Sequence, residues 1–412
     1  MNADDPVVIT GCGVRSAAGT GLASLTRALR DHRPRVTPEP SALPVAWQAA
    51  APDPVSPHPD LPDDRKSWLG LAAAHEAVAD AALDGQWPAA DRRALFVGTG
   101  LSSVTPGELA EDVYRHLRDG VLDEDAVAAD IDPDRAAPRR HLPAAMTAVL
   151  ASALGVRGPT GTSFSACAAA AQAIAEGARA VGRGEVDVAV VGGHDSMLHP
   201  LGMLSFVVLG ALSGDTCRPF DPDRDGFLIG EGAASFVLER RSRARARGAR
   251  VLAQVVGAGT SADGWNVTAP HPAGAGAERA MRRALRDAGV AASAVDAINA
   301  HGTGTPVGDV AEAQAIARIF GDRVPVSSTK GALGHTIAAA GAIEAAVCVA
   351  ALQAGLLPGT AGYLRADPEC PIAVAAEPRD RALGLVLSNS FGFGGQNASL
   401  LLAAPDWTRP DA

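Results

Sequence analysis

Short apolar runs alternate with stretches of helical spacing along almost the whole chain. Val7-Val-Ile-Thr10, Ala94-Leu-Phe-Val97, Thr160–Ser165, Val186–Val191 and Ala234–Leu238 read as strands, and so do Leu252–Val256, Val295–Ala300, Val324–Ser327, Leu383–Leu387 and Ala398–Leu402. Runs this short, bounded by glycine or proline, are the pattern of strands covered on both faces. Between them, apolar positions recur at helical spacing over Ser67–Leu83, His141–Leu154, Ala168–Val181, Ala277–Ala288, Asp309–Phe320 and Ile337–Gln353. The alanine-rich helix 168–181 is expected to be buried, since so many small side chains allow close packing on all sides. The polar stretch Glu108–Ala129 predicts a helix, Pro34–Pro62 an irregular connection, and the basic run Arg240–Arg250 a solvated helix end. Strand–helix alternation predicts an α/β fold. The order of elements restarts near residue 250, which predicts two similar halves, 1–250 and 251–412.

Composition narrows the possibilities. A chain of 412 residues, 47% hydrophobic and 20% charged, can bury a large core. A net charge of −10 argues against general nucleic-acid binding. No run is read as a membrane span, because Glu344 and Gln353 interrupt the longest candidate, Ala342–Leu357. The start of the chain has no basic, apolar leader, so a cytoplasmic setting is expected. The five cysteines, at 12, 167, 217, 348 and 370, form no CxxC pair and are expected as free thiols. Of 36 basic residues only Lys66 and Lys330 are lysine. In so arginine-rich a background, a retained lysine marks a place where a compact ammonium fits and a guanidinium does not.

Three segments concentrate reactive groups where predicted strands end: Thr162-Ser-Phe-Ser-Ala-Cys167, His301-Gly-Thr-Gly-Thr305 and Lys330-Gly-Ala-Leu-Gly-His335. Cys167 is expected at a helix N-terminus, whose unpaired N–H groups favour a thiolate. The other four cysteines read as structural. His301 and His335 can both donate to one oxygen, or one of them can move a proton. His58, His194, His199 and His271 read as ordinary loop histidines. Phe391-Gly-Phe-Gly-Gly-Gln-Asn397 can supply a backbone N–H to an oxyanion and an aromatic gate, or it can be a tight hairpin. Gly302, Gly304 and Gly308 miss the dinucleotide spacing, and Pro306 interrupts them, so nicotinamide chemistry is set aside.

Taken together, these segments resemble the β-ketoacyl-acyl carrier protein synthases, the condensing-enzyme branch of the thiolase superfamily. The resemblance also rests on Arg218-Pro-Phe-Asp-Pro-Asp-Arg-Asp-Gly226 with Gly230-Glu-Gly232, on Ser328-Thr-Lys-Gly-Ala-Leu-Gly-His335 and on Gly341-Ala-Ile-Glu344. The nearest branch is the elongating synthase II type and its bacterial polyketide relatives. The resemblance implies a thiolase-like fold with α-β-α-β-α layers and a decarboxylative condensation of an acyl group with a malonyl-carrier thioester, without metal or cofactor. It implies that Cys167 accepts the acyl group, that His301 and His335 support decarboxylation, and that Lys330 and Glu344 are a supporting charged pair. Phe393 is the implied gate, flanked by Gly392 and Gly394, with its N–H and that of Cys167 forming the oxyanion hole. Phe164, Thr303, Thr305 and Phe391 are expected in the substrate pocket, and Arg65 and Lys66 at the docking surface for an acyl carrier protein. A dimer is implied, with itself or with a chain-length partner, along the strand near Ser163. The short connection 212–218 and the stretch 108–142 depart from the family pattern, which favours a polyketide-type role over housekeeping fatty-acid synthesis. A carrier-dependent acyltransferase that does not elongate, a chain-length subunit and a thiolase are the rival readings.

Overall fold

A computed structural model describes residues 5–34, 48–52, 56–61, 64–100, 115–130 and 141–410. Its main elements, in chain order, are β1 (Val7–Ser16), α1 (Arg65–Asp80), β2 (Arg93–Thr99), β3 (Thr160–Ser163), α2 (Ala169–Arg183), β4 (Val188–Ser196), α3 (Pro200–Val208) and β5 (Ile229–Arg240). There follow β6 (Ala253–Ala262), α4 (Ala275–Ala288), β7 (Ala297–Asn299), α5 (Pro306–Phe320), β8 (Pro325–Ser327), α6 (Ala340–Ala354), β9 (Leu385–Gly392) and β10 (Gln396–Ala403).

These ten strands form the body of one mixed sheet in the order β8-β7-β9-β10-β6-β1-β5-β4-β2-β3. Read outward from the central β6–β1 pair, both halves have the same plan. The first strand of each half is followed by its fifth, fourth, second and third. In each half the inner two pairings are antiparallel and the outer two parallel. The halves meet where Val7–Ile9 pairs antiparallel with Ala253–Val255. The repetition expected from element order is therefore a repetition of topology.

The layers follow from which faces are apolar. α2 and α6 pack on each other between the half-sheets, α1 covers the outer face of β1, β5 and β4, and α4 covers β6 and β10 with α5 beside it. This is the α-β-α-β-α arrangement. α2 keeps one polar edge, with Glu176 exposed, so it is amphipathic rather than buried all round. α6 is the helix enclosed on every side, apart from its last two residues. The stretch Ile337–Ala354 is long and apolar enough to cross a membrane by composition, yet 89% of it is buried in this core. α2 sits unusually close to its strands because Gly98 and Gly193 face it. A Cβ on Gly98 would lie 2.3 Å from Ala170 N, and one on Gly193 2.4 Å from Ala170 Cβ.

Two local expectations change. The described part of Glu108–Ala129 is a short hairpin, Leu117–Arg118 with Val121–Leu122, and a helix of only Glu124–Ala129; the rest lies outside the described residues. The run Arg240–Arg250 does contain a helix, Arg241–Ala246, but Arg247 is not solvated. It donates to buried Glu239 and to Ala81 O, because a carboxylate enclosed in β5 requires a cationic partner.

Gly98→Ala should cost ~1–3 kcal/mol of stability, the usual cost of overpacking, and so lower the midpoints of thermal and denaturant unfolding. An unchanged midpoint would mean that α2 does not rest on β2 at this point.

Candidate active site

Both halves carry the same turn in front of their central helix. In the first, β3 ends at Ser163, a 3₁₀ turn spans Ala166–Ala168, and α2 follows. In the second, β8 leads through the helical turn Lys330–Leu333 to His335, a 3₁₀ turn spans Ile337–Ala339, and α6 follows. The first residue of each 3₁₀ turn is left-handed although it carries a side chain, Ala166 at φ 48° and Ile337 at φ 47°. Such strain persists only where surrounding structure enforces it, and it collects at functional sites. Cys167 and Ala338 hold equivalent places. Ala338 N–H donates to Asp195 Oδ2 at 3.0 Å, so the second turn is fastened to the end of β4. The helices that follow the two turns start close together: a Cβ on Gly341 would lie 2.7 Å from Ala171 N.

This arrangement brings Cys167 and His335 into contact, with Sγ and Nε2 3.2 Å apart. The His301 ring lies edge-on to the His335 ring, centroids 5.3 Å apart. Burial, opposed by Lys330, pushes the Cys167 thiol up to about 12. Burial and then Lys330 hold both imidazoles well below their ordinary value, with His335 adding to the effect on His301. The resting site therefore holds a neutral thiol and two neutral imidazoles. The expected helix-terminus thiolate is corrected on two counts. Cys167 precedes the regular helix, and desolvation outweighs both Lys330 and the Phe393 N–H directed at its sulfur.

Lys330 fixes the His301 tautomer. Its Nζ lies 3.4 Å from His301 Nδ1, and it also donates to His301 O and to Glu344 Oε1. An ammonium only donates, so Nδ1 must accept and the ring proton sits on Nε2. Glu344 lies in the second turn of α6 and is raised by burial against the pull of Lys330. Sequence reasoning missed the residues that shape the His301 loop. Glu312 accepts from His301 N (2.9 Å), Gly302 N (2.8 Å) and Asn389 Nδ2 (3.1 Å). Asp309, pushed up to about 7 by burial, accepts from Phe220 N (2.7 Å) and Gly304 N (3.1 Å). The available signal was spacing: Asp309 and Glu312 are three apart on the helix that follows this loop, hence on one face.

The arginine–aspartate motif at 218–226 ties the same loops together. Asp221 accepts from the backbone of Leu364 and Arg365, buried Arg224 pairs with Asp367, and Gly226 N donates to Gly304 O. His335 is held as an extra strand residue, its N–H on Leu228 O and its carbonyl accepting from Gly230 N.

A cavity of about 310 Å³ opens onto these groups, lined by Cys167, His301, His335, Thr303, Thr305 and Phe391 among others. Its further wall is aromatic: Phe206 meets Phe227 edge-on at 5.5 Å and Phe393 at 6.4 Å, and Phe227 meets His335 at 4.9 Å. Phe206 and Phe227 were not expected. The segment 391–397 is a β9–β10 hairpin, and it also reaches the sulfur, so the two readings are compatible. Gly394 and Gly395 take the left-handed conformations its turn needs. Gly392 runs so close that a Cβ on it would lie 3.0 Å from Cys167 N.

Three site expectations fail. Phe164, just past the end of the edge strand, is 51% exposed and does not line the cavity. Lys66 is buried, and Arg65 is bound to buried Glu231, which Ser196 also contacts, so this pair is not a free basic patch. His194 is no loop histidine either: it is enclosed in β4 beside Thr99, with its pKa lowered to about 3 by burial.

Two family models match: the N-terminal domain of beta-ketoacyl synthase over residues 61–244 and its C-terminal domain over 252–364. The chain belongs to the β-ketoacyl synthase family. It is similar to nodulation protein E of Rhizobium meliloti (strain 1021), 38% identical with 96% of this chain and 98% of that protein covered. It is likewise similar to 3-oxoacyl-[acyl-carrier-protein] synthase 2 of Staphylococcus aureus (strain COL), 34% identical with 97% and 99% covered. Among solved structures, the ishigamide ketosynthase/chain length factor superposes with a TM-score of 0.83 at 35% identity, covering 97% of this chain and 99% of that one. This ketosynthase thus has the thiolase-like fold and is an acyltransferase-type enzyme that condenses an acyl group with a malonyl-carrier thioester.

With its pKa raised to about 12, Cys167 should react with iodoacetamide at a rate rising about tenfold per pH unit between pH 7 and 10, as its thiolate fraction does. A rate already level from pH 6 upward would show a resting thiolate–imidazolium pair instead.

Proposed function

We propose that this ketosynthase works by a ping-pong condensation in polyketide-type, secondary-metabolite synthesis in the cytoplasm, with residues 1–250 supplying the nucleophile and 251–412 the histidines. The observation that carries the reading is the meeting of Cys167 Sγ, His335 Nε2 and the His301 ring in one buried cavity. Cys167 attacks the acyl thioester carbonyl, and its thiol proton passes to the departing carrier thiol. The N–H groups of Cys167 and Phe393 hold the oxyanion. The malonyl-carrier thioester then loses CO₂. Its enolate oxygen is held by His301 Nε2–H and by His335, and its carbon attacks the acyl-enzyme, releasing a 3-ketoacyl-carrier thioester. One proton taken up at this step restores the Cys167 thiol. Lys330 and Glu344 act through His301 as positioning residues.

The partners follow from relatives. The ishigamide ketosynthase is described with a chain length factor, and that likeness supports pairing of this chain either with a second copy or with a chain-length subunit. β3 is the outermost strand of the described sheet, as pairing along Ser163 requires. An acyl carrier protein is the donor of both substrates, consistent with the name of the Staphylococcus aureus relative.

Intact-protein mass spectrometry tests the scheme. An acyl-carrier thioester should add the acyl mass to Cys167, and malonyl-carrier thioester should discharge it as a 3-ketoacyl product. Retention of the acyl mass after malonyl addition would favour the non-elongating acyltransferase. Cys167→Ala should abolish condensation, and turnover by that variant would refute the assignment. His335→Ala should block malonyl decarboxylation by about 10²–10⁴-fold while partly sparing acyl loading; equal loss of both steps would remove His335 from its proposed role.

A further inference from the structure

The two equivalent turns differ in what meets the N–H at their centre. In the reaction scheme Cys167 N holds the oxyanion. Ala338 N, at the matching place, is instead bound to Asp195 Oδ2 at 3.0 Å. Asp195 is fully buried at the next-to-last position of β4, and its Oδ1 accepts from Ser196 N at 2.9 Å. Gly100 passes so near that a Cβ on it would lie 2.1 Å from Asp195 Oδ2. Burial pushes this carboxylate up to about 6, opposed first by the Lys66 ammonium and then by the Ala338 and Ser196 N–H groups, while Asp64 adds to the rise. Lys66, a retained lysine to which the reaction scheme gives no part, therefore acts on Asp195 as Lys330 acts on Glu344.

The arc from His335 to Ala338 is held at both ends. At its start, His335 N donates to Leu228 O (2.7 Å) and His335 O accepts from Gly230 N (2.9 Å). At its far end, Ala338 N is held by Asp195. Between them lies Ile337, a β-branched residue at φ 47° whose side chain lines the cavity. Such a residue stays left-handed only where its surroundings compel it. Asp195 is itself braced. The next residue, Ser196, donates its Oγ to Glu231 at 2.7 Å, and Arg65 Nε holds Glu231 at 2.8 Å. The brace runs from the start of α1 through β5 and β4 to the back of the catalytic arc. Asp195 lies near enough to the sulfur for its charge to act on the Cys167 thiol, yet it does not line the cavity.

We propose that Asp195 is a positioning residue for the condensation: by binding Ala338 N–H it fixes the arc 335–338, so that His335 Nε2 stays against Cys167 Sγ and Ile337 stays in the cavity wall. The proposal rests on the reading of the chain as a ketosynthase that uses His335. Asp195 touches no substrate and acts through the backbone of Ala338. An N–H bound to a carboxylate is held more strongly than one bound to a neutral acceptor, which suits a strained turn outside any regular helix.

Hydrogen exchange and kinetics on the full chain provide the test. Asp195→Ala and Asp195→Leu, one smaller and one of similar volume, both remove the acceptor. In whichever folds, the amides of 335–339 should exchange at least about tenfold faster, with α4 and α5 unchanged. Malonyl decarboxylation by the acyl-loaded protein should slow about 10–100-fold in kcat, while KM for the malonyl-carrier thioester and acyl loading of Cys167 stay nearly constant. Asp195→Asn, whose amide oxygen can still accept from Ala338 N–H, should recover most of both effects. In a His335→Ala background, removing Asp195 should slow decarboxylation no further, because a residue that acts through His335 is not additive with it. Unchanged exchange and decarboxylation in the Ala and Leu variants would overturn the proposal. So would losses that Asn does not recover, or losses fully additive with His335→Ala. The exchange measurement needs no substrate, and loading and decarboxylation by the unaltered protein report the reaction scheme, so failure of one is told apart from failure of the other.

Discussion

The centre of this structure is a buried ammonium. Lys330 is almost wholly enclosed, and taking such a charge out of water costs several kcal/mol unless partners surround it. Its partners are the His301 carbonyl, His301 Nδ1 and the Glu344 carboxylate. Each makes a demand on the fold. Glu344 must lie near the start of the central helix, in a buried turn where an unpaired carboxylate is costly. His301 must follow its strand with its ring turned toward that of His335. The loop carrying it must then be bound by Glu312 and Asp309, themselves buried carboxylates satisfied largely by backbone N–H groups. Removing the ammonium would leave a buried carboxylate unpaired and the His301 tautomer free to change.

The same electrostatics decide how the nucleophile works. A thiolate at rest is disfavoured because burial outweighs the positive charge nearby, and burial with Lys330 likewise disfavours a resting imidazolium. Charge therefore has to appear during the reaction, when a carbonyl oxygen enters among N–H donors already in place. In a dry site such preorganised donors act without the reorganisation that water would need.

Much of this was legible in the sequence. Strand cores such as Val7–Thr10 and Ala94–Val97 announced themselves as short apolar runs, and the restart near residue 250 foreshadowed the repeated topology. The reactive triad could be seen because Cys167, His301 and His335 each follow a strand. What escaped depended on three-dimensional neighbours. Arg65-Lys66 has the look of a surface dipeptide, yet Glu231, far along the chain, claims its arginine. Phe206 and Phe227 look like ordinary core aromatics until the cavity wall is seen. The helix-terminus argument for Cys167 was sound in direction but omitted desolvation, which sequence does not report.

The close passage of Gly392 beside Cys167 N has a consequence for timing. The strand end that presents Phe393 to the cavity is the same backbone that aims an N–H at the sulfur. Any swing of this segment wide enough to admit a long acyl chain withdraws that N–H from the sulfur. An open doorway is then a disarmed catalyst, and the site rearms only as the segment settles back over its guest.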